Sequence, residues 1–91
     1  MFVIVTYDIQ DDKKRNKIFK ILKNYGQWMQ FSVFECQNLS KENFLHLRNK
    51  VEKYININND SIRYYILCEN CQNKVIRLGG VKERDESIFF A

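Results

Sequence analysis

Residues 2–9, Phe-Val-Ile-Val-Thr-Tyr-Asp-Ile, form a run of β-branched and aromatic residues with apolar side chains on both faces, and no other feature restricts the fold as strongly. Alternation sets Phe2, Ile4, Thr6 and Asp8 on one face of this strand and Val3, Val5, Tyr7 and Ile9 on the other. Such a strand must be covered from both sides. Residues 28–37 repeat the pattern as a second long strand, with Trp28, Gln30, Ser32, Phe34 and Cys36 against Met29, Phe31, Val33 and Glu35.

Two stretches carry helical spacing. From Asp11 or Asp12 onward, Ile18, Leu22 and Tyr25 fall on one side with Phe19 and Ile21 flanking them, and Gly26 follows as the residue after the helix. Ser40 has the character of an N-cap, and Phe44, Leu47, Val51, Tyr54 and Ile55 recur at spacings of three and four behind it. Residues 56–60 are a polar turn, residues 61–68 a further strand, and residues 74–78 a short one before Gly79-Gly80 and a tail ending Ile88-Phe89-Phe90. A hairpin within residues 24–37, with turn candidates at Tyr25-Gly26-Gln27 and Gln37-Asn38, makes the order β-α-β-β-α-β. The expected fold is therefore α+β: one ferredoxin-like domain over residues 1–91 with an extra C-terminal strand.

Both helices of that arrangement lie on one face of the sheet, so the other apolar face needs a cover. A homodimer packed sheet to sheet supplies it, with the tail from about residue 79 crossing to the partner chain. The alternative is an open sheet that stacks unpaired bases on Tyr7, Phe31 or Tyr65.

Charge is concentrated in one place. Between Asp11 and Tyr25 stand Lys13, Lys14, Arg15, Lys17, Lys20 and Lys23 against Asp11 and Asp12, which accounts for the whole formal net charge of +4. At 100° per residue Lys13, Lys17, Lys20 and Lys23 cluster opposite Ile18 and Leu22, as a phosphate-binding footprint or as a solvated helix face. Arg15 falls on the inward side, to pair with Asp8, to grip a phosphate or to snorkel along the surface. No stretch approaches the ~20 apolar residues of a membrane span. No basic leader or cleavage motif precedes Phe2, and three cysteines with no export signal point to a reducing, cytoplasmic setting without disulfides.

Little of the chain is suited to chemistry. His46, the one histidine, reads as a helix-surface residue, and Gly26, Gly79 and Gly80 lack the spacing of a nucleotide loop. Cys68-Glu69-Asn70-Cys71 is half of a zinc site or a redox pair, with Cys36 and His46 poorly spaced to complete it; ordinary small hydrophobes are the preferred reading. Asp8 ends the first strand directly before the basic helix. It is a turn or cap residue or, if a two-fold axis brings Asp8 of two chains together, the carboxylate pair of a magnesium site that acts on a phosphodiester.

Three segments carry a family resemblance: Val5-Thr6-Tyr7-Asp8-Ile9; Asp11-Asp12-Lys13-Lys14-Arg15-Asn16-Lys17 with Leu22 and Tyr25-Gly26; and Gln30-Phe31-Ser32-Val33-Phe34-Glu35. Together they resemble the Cas-two family, the smaller of the two universal CRISPR-associated spacer-acquisition proteins. The resemblance implies a ferredoxin-like homodimer in which Asp8 binds a divalent metal, Mg, across the two-fold axis. It implies a metal-dependent endonuclease acting on RNA or double-stranded DNA, and a partner in the larger CRISPR integrase. Lys14 and Arg15 match the family's basic residues and Phe34 its phenylalanine; with Lys13, Lys17 and Tyr7 they are the expected nucleic-acid-binding residues. Two further functions suit the same fold: a non-catalytic scaffold for double-stranded DNA, and a toxin-type ribonuclease.

Overall fold

The structure, a computed structural model, describes residues 1–79. Its elements are β1 (Phe2–Asp8), α1 (Asp12–Lys23), β2 (Gln27–Gln30), β3 (Val33–Cys36), α2 (Lys41–Glu52), β4 (Ser61–Leu67) and the one-turn α3 (Glu69–Gln72). The strands form one antiparallel sheet in the order β2-β3-β1-β4, which is the ferredoxin-like topology, with β3 inserted between β1 and β2.

Each helix starts where its capping residue dictates. The Asp11 carboxylate accepts the Lys14 N–H at 2.9 Å, and the Ser40 hydroxyl accepts the Asn43 N–H at 3.0 Å. Asp12 in the first turn of α1 and Lys20 and Lys23 in its last turn match the helix dipole.

The core lies between the sheet and the two long helices. Val3, Val5 and Tyr7 of β1, Phe34 and Cys36 of β3, Ile18 and Leu22 of α1, and Leu47 and Val51 of α2 are all buried. The expected division of β1 holds: its Val3-Val5-Tyr7 face meets the helices, and the Phe2-Ile4-Thr6-Asp8 face carries none. Phe2 is nevertheless buried on that second face, outside the main core cluster.

The second long strand is two strands. The turn falls at Phe31 and Ser32, at neither turn candidate, and Phe31 takes a positive φ of 41° with its ring almost wholly exposed. The Trp28 indole N–H donates to the Phe31 carbonyl at 2.8 Å and holds the turn closed. The register slips between Trp28 and Gln30, so Gln30 rather than Met29 pairs with Val33.

Gly26 follows the end of α1 as expected, its N–H donating to the Leu22 carbonyl at 2.9 Å, and it serves a second purpose. A Cβ there would lie 2.5 Å from the Cys36 sulfur and 2.6 Å from the Glu35 carbonyl, so glycine is what lets the entry to β2 press against β3.

Residues 74–78, expected as a strand, pair with none of the four strands of this chain. Their alternation persists without a ladder: Val75 is half-buried, Arg77 forms an ion pair with Glu35 on the helix-free face, and Ile76 and Leu78 are 84% and 94% exposed. The tail expected to cross to a partner lies beyond Gly79, outside the described residues.

Candidate functional site

Asp8 is the last residue of β1 and is exposed on the helix-free face. Its register partner is Ser61 at the start of β4, and Thr6, two residues back on the same face, pairs with Arg63. Thr6, Tyr7, Asp8, Ser61 and Arg63 line a shallow, open hollow of about 260 Å³. A wider hollow of about 510 Å³ sits at the opposite end of the sheet around Gly26, Gln27, Glu35 and Asn38, away from Asp8 and the start of α1. Lys23 lines the wider hollow, whereas Asp8 and Arg63 stand together in the smaller one.

The loop leaving Asp8 is held by a residue remote in sequence. Both oxygens of Asp60 are engaged, Oδ1 accepting the Gln10 N–H at 3.0 Å and Oδ2 the Asn56 N–H at 3.0 Å. Those amides, the Gln10 bond foremost, hold its carboxyl below the usual range, and the nearby Lys14 charge adds to the effect. Asp60 thus ties the α2–β4 loop to the β1–α1 loop and fixes how the backbone leaves Asp8.

Arg15 does not pair with Asp8. Its Nη1 donates to the Ile9 carbonyl at 2.8 Å and its Nη2 pairs with Asp12, so it braces the first turn of α1 from below. Lys13, Lys17, Lys20 and Lys23 are exposed along the outer side of the helix, as the spacing indicates. Lys17 lies 5.4 Å from the centre of the Tyr54 ring and Lys23 5.7 Å from that of Phe19. Lys13 and Lys20 make no bond or ring contact with any described residue.

Two expected nucleic-acid contacts belong to the interior instead. Phe34 has no exposure and packs edge-on against Phe19 at 5.3 Å, so it supports the sheet and touches no ligand. Tyr7 is 7% exposed on the helix side and stacks on Phe34 at 6.4 Å. Burial pushes its phenol up, against a hydrogen bond with Ser32 and the Arg15 charge, which pull the other way. Base stacking on Tyr7, Phe31 and Tyr65 together is excluded by placement: Tyr7 is inside, Phe31 is at a hairpin tip, and Tyr65 alone lies on the open face.

Arg63 and Asp60 were not singled out from sequence. Once Ser61 stands opposite Asp8, the period of two puts Arg63 on the same face, but only the β1–β4 register reveals it. His46 is exposed on α2, as expected. Among the described residues no three His, Cys, Asp or Glu side chains gather into a metal cluster, and no helix is long and apolar enough to cross a membrane. The donors around Asp8 are oxygens, one carboxylate with the Ser61 and Thr6 hydroxyls beside it. That chemistry fits a hard divalent cation, and a single chain lacks the second carboxylate such an ion often takes.

Comparison with known proteins agrees with this architecture. Residues 1–75 match the family model described as CRISPR associated protein Cas2. The chain is 42% identical over 84 residues to the CRISPR-associated endoribonuclease Cas2 2 of Methanospirillum hungatei JF-1, covering 87% of this chain and 86% of that one. The crystal structure of Streptococcus pyogenes Cas2 at pH 6.5 superposes with a TM-score of 0.74 at 36% identity, over 87% of this chain and all of that one. A chain of a partial Cas6-RT-Cas1–Cas2 complex superposes with a TM-score of 0.69 at 28% identity, over 85% and 89% of the two chains.

Proposed function

The chain belongs to the CRISPR-associated protein Cas2 family, and from that premise we propose that it acts as a homodimeric, magnesium-dependent endonuclease of the CRISPR adaptation system, with single-stranded RNA as its substrate. The observation that carries this reading is the position of Asp8: an exposed carboxylate at the end of β1, on the sheet face without helices, one short loop ahead of the basic helix α1.

The surface supports dimerisation. Ile4, Val33 and Leu67 are only half-buried on the helix-free face, Tyr65 is 45% exposed there, and Ile76 and Leu78 project from an extended segment with no partner strand. Packing this face on its copy buries all of them and brings Asp8 of each chain to one interface. The paired Asp8 carboxylates, with the Ser61 hydroxyls near them, would hold the cation. When bound, the ion lowers the pKa of a water and neutralises charge on the scissile phosphate.

The chain's own residues do the rest. The Arg63 guanidinium lines the hollow and is shaped to take two phosphate oxygens. Lys14, near Asp60, and the lysines of α1 draw the backbone toward Asp8. Asp60 and Arg15 contact no substrate in this scheme; they keep the β1–α1 loop and the first helical turn in place.

RNA is favoured because a relative of high identity is named an endoribonuclease. The neighbour from the Cas1–Cas2 complex supports the larger integrase as a partner. It also favours a second role alongside the first, a scaffold that grips double-stranded DNA through the lysine face of α1, since Lys13 and Lys20 are not committed to any described residue.

The nuclease reading is tested by incubating end-labelled single-stranded RNA and double-stranded DNA with the wild type and Asp8→Asn, in magnesium and in chelator, with the dimer followed by light scattering. The expected result is RNA cleavage that needs magnesium and disappears in Asp8→Asn while the dimer persists. Full activity of Asp8→Asn would overturn the assignment of Asp8.

A further inference from the structure

The three cysteines occupy two environments. Cys36 is fully buried, and burial, with the adjacent Glu35 charge second, pushes its thiol up to about 11. Cys68 and Cys71 are exposed where β4 gives way to α3. Their exposure removes the small-hydrophobe reading, because neither side chain fills any interior space.

The two are organised around each other. Cys68 caps α3, and its sulfur accepts the Cys71 backbone N–H at 3.4 Å. The three-residue spacing across this turn sets both thiols at the N-terminal end of α3, each exposed to solvent. The turn that holds them is closed independently by the Gln72 N–H donating to the Cys68 carbonyl at 2.8 Å. A Cys71 amide held against the Cys68 sulfur, two exposed thiols and a fixed turn are what a vicinal pair needs for thiol–disulfide exchange.

We propose that Cys68 and Cys71 are a reversible dithiol–disulfide site that exchanges with low-molecular-weight disulfides of the glutathione type. The Cys68 thiolate attacks one sulfur of the small disulfide, forming a mixed disulfide and expelling one thiolate, which takes up a proton. Cys71 then loses its proton and attacks the Cys68 sulfur, closing the Cys68–Cys71 bond and expelling the second small thiol. Two cysteine thiols are oxidised and one small disulfide is reduced to two thiols.

The environment assigns the roles. The Cys71 amide, first, and the Cys71 thiol, second, stabilise the Cys68 thiolate and hold its pKa below the ordinary range, while donation to Cys68 raises that of Cys71. Oxidation would lock the α3 turn, from which the chain departs toward the ion pair of Arg77 with Glu35.

The full-length protein is equilibrated in glutathione buffers of stepped oxidised-to-reduced ratio, quenched with an alkylating agent under native conditions, and weighed intact. Cys68 and Cys71 should lose their thiols together in one two-electron step, while Cys36 is alkylated only after unfolding. In Cys71→Ser the mixed disulfide should accumulate at Cys68; in Cys68→Ser the remaining thiol should react roughly tenfold more slowly. Independent oxidation of the two thiols, equal rates in the two variants, or a zinc ion that co-purifies and blocks both would each overturn the proposal.

Discussion

Replacing Lys13 and Lys20 with glutamine asks whether the outer side of α1 is a phosphate surface or only a solvated face. The two residues lie seven positions apart, so they share one side of the helix at a separation of about 10 Å. Neither makes a bond or ring contact with a described residue, whereas Lys17 and Lys23 lie over aromatic rings. Glutamine matches lysine in helix propensity, so α1 is preserved. If each of the four lysines neutralises one phosphate of single-stranded RNA, α1 contributes roughly −2.8 to the slope of log K against log salt, and the double variant should lower that contribution by roughly 1.4. Between about 50 and 200 mM salt, the wild type should then lose roughly sevenfold more affinity than the variant. Fluorescence anisotropy of a labelled oligonucleotide, titrated at four or five salt concentrations, reads the slope directly. An unchanged slope in the double variant, with a reduced one in Arg63→Gln, would place the phosphate contacts in the hollow by Asp8 and leave the lysine face as solvated surface.

The packing makes its own predictions. Gly26→Ala forces a methyl group against the buried Cys36 and the Glu35 backbone, an overpacking that costs roughly 1–3 kcal/mol and should lower the thermal midpoint by about 4–8 °C per kcal/mol. Phe34→Ala should destabilise by about 3–5 kcal/mol; weaker RNA binding at unchanged stability would contradict its interior role. Glu52 contributes stability that acid removes. Burial raises its carboxyl, but hydrogen bonds from Arg48 and Tyr64 and the Arg48 charge outweigh this and leave it below the usual value. Its stabilisation is therefore complete above the unfolded pKa near 4.3 and fades as pH falls through the folded value. Urea midpoints of Glu52→Gln and wild type between pH 7 and pH 3 should converge toward the acid end, and a constant gap would refute the coupling.

How much of this was legible in the sequence depended on whether the cause was local. The two faces of β1 and the starts of α1 and α2 follow from period and caps: Val3, Val5 and Tyr7 alternate inward, and Asp11 and Ser40 each bond the amide three residues on. The β2–β3 turn was hidden because Phe31, a bulky residue at positive φ, carries none of the usual turn chemistry and is held by the Trp28 indole. Gly26 was visible as a glycine, but its reason lies across the sheet at Cys36. The candidate site divides in the same way. Asp8 and the lysine face are readable from neighbours in sequence, whereas Arg63 reaches the hollow through strand register and Asp60 clamps Gln10 across fifty residues. Phe34 and Tyr7 were visible as aromatics near the site, and only their burial shows that they support the sheet from within.

The proposed site shares one divalent ion between Asp8 of two chains. Electron paramagnetic resonance of Mn²⁺ titrated into the purified dimer counts the ion directly. One tight site for every two chains is expected in the wild type, and its loss in Asp8→Asn. One site in each chain, or tight binding that survives Asp8→Asn, would contradict it.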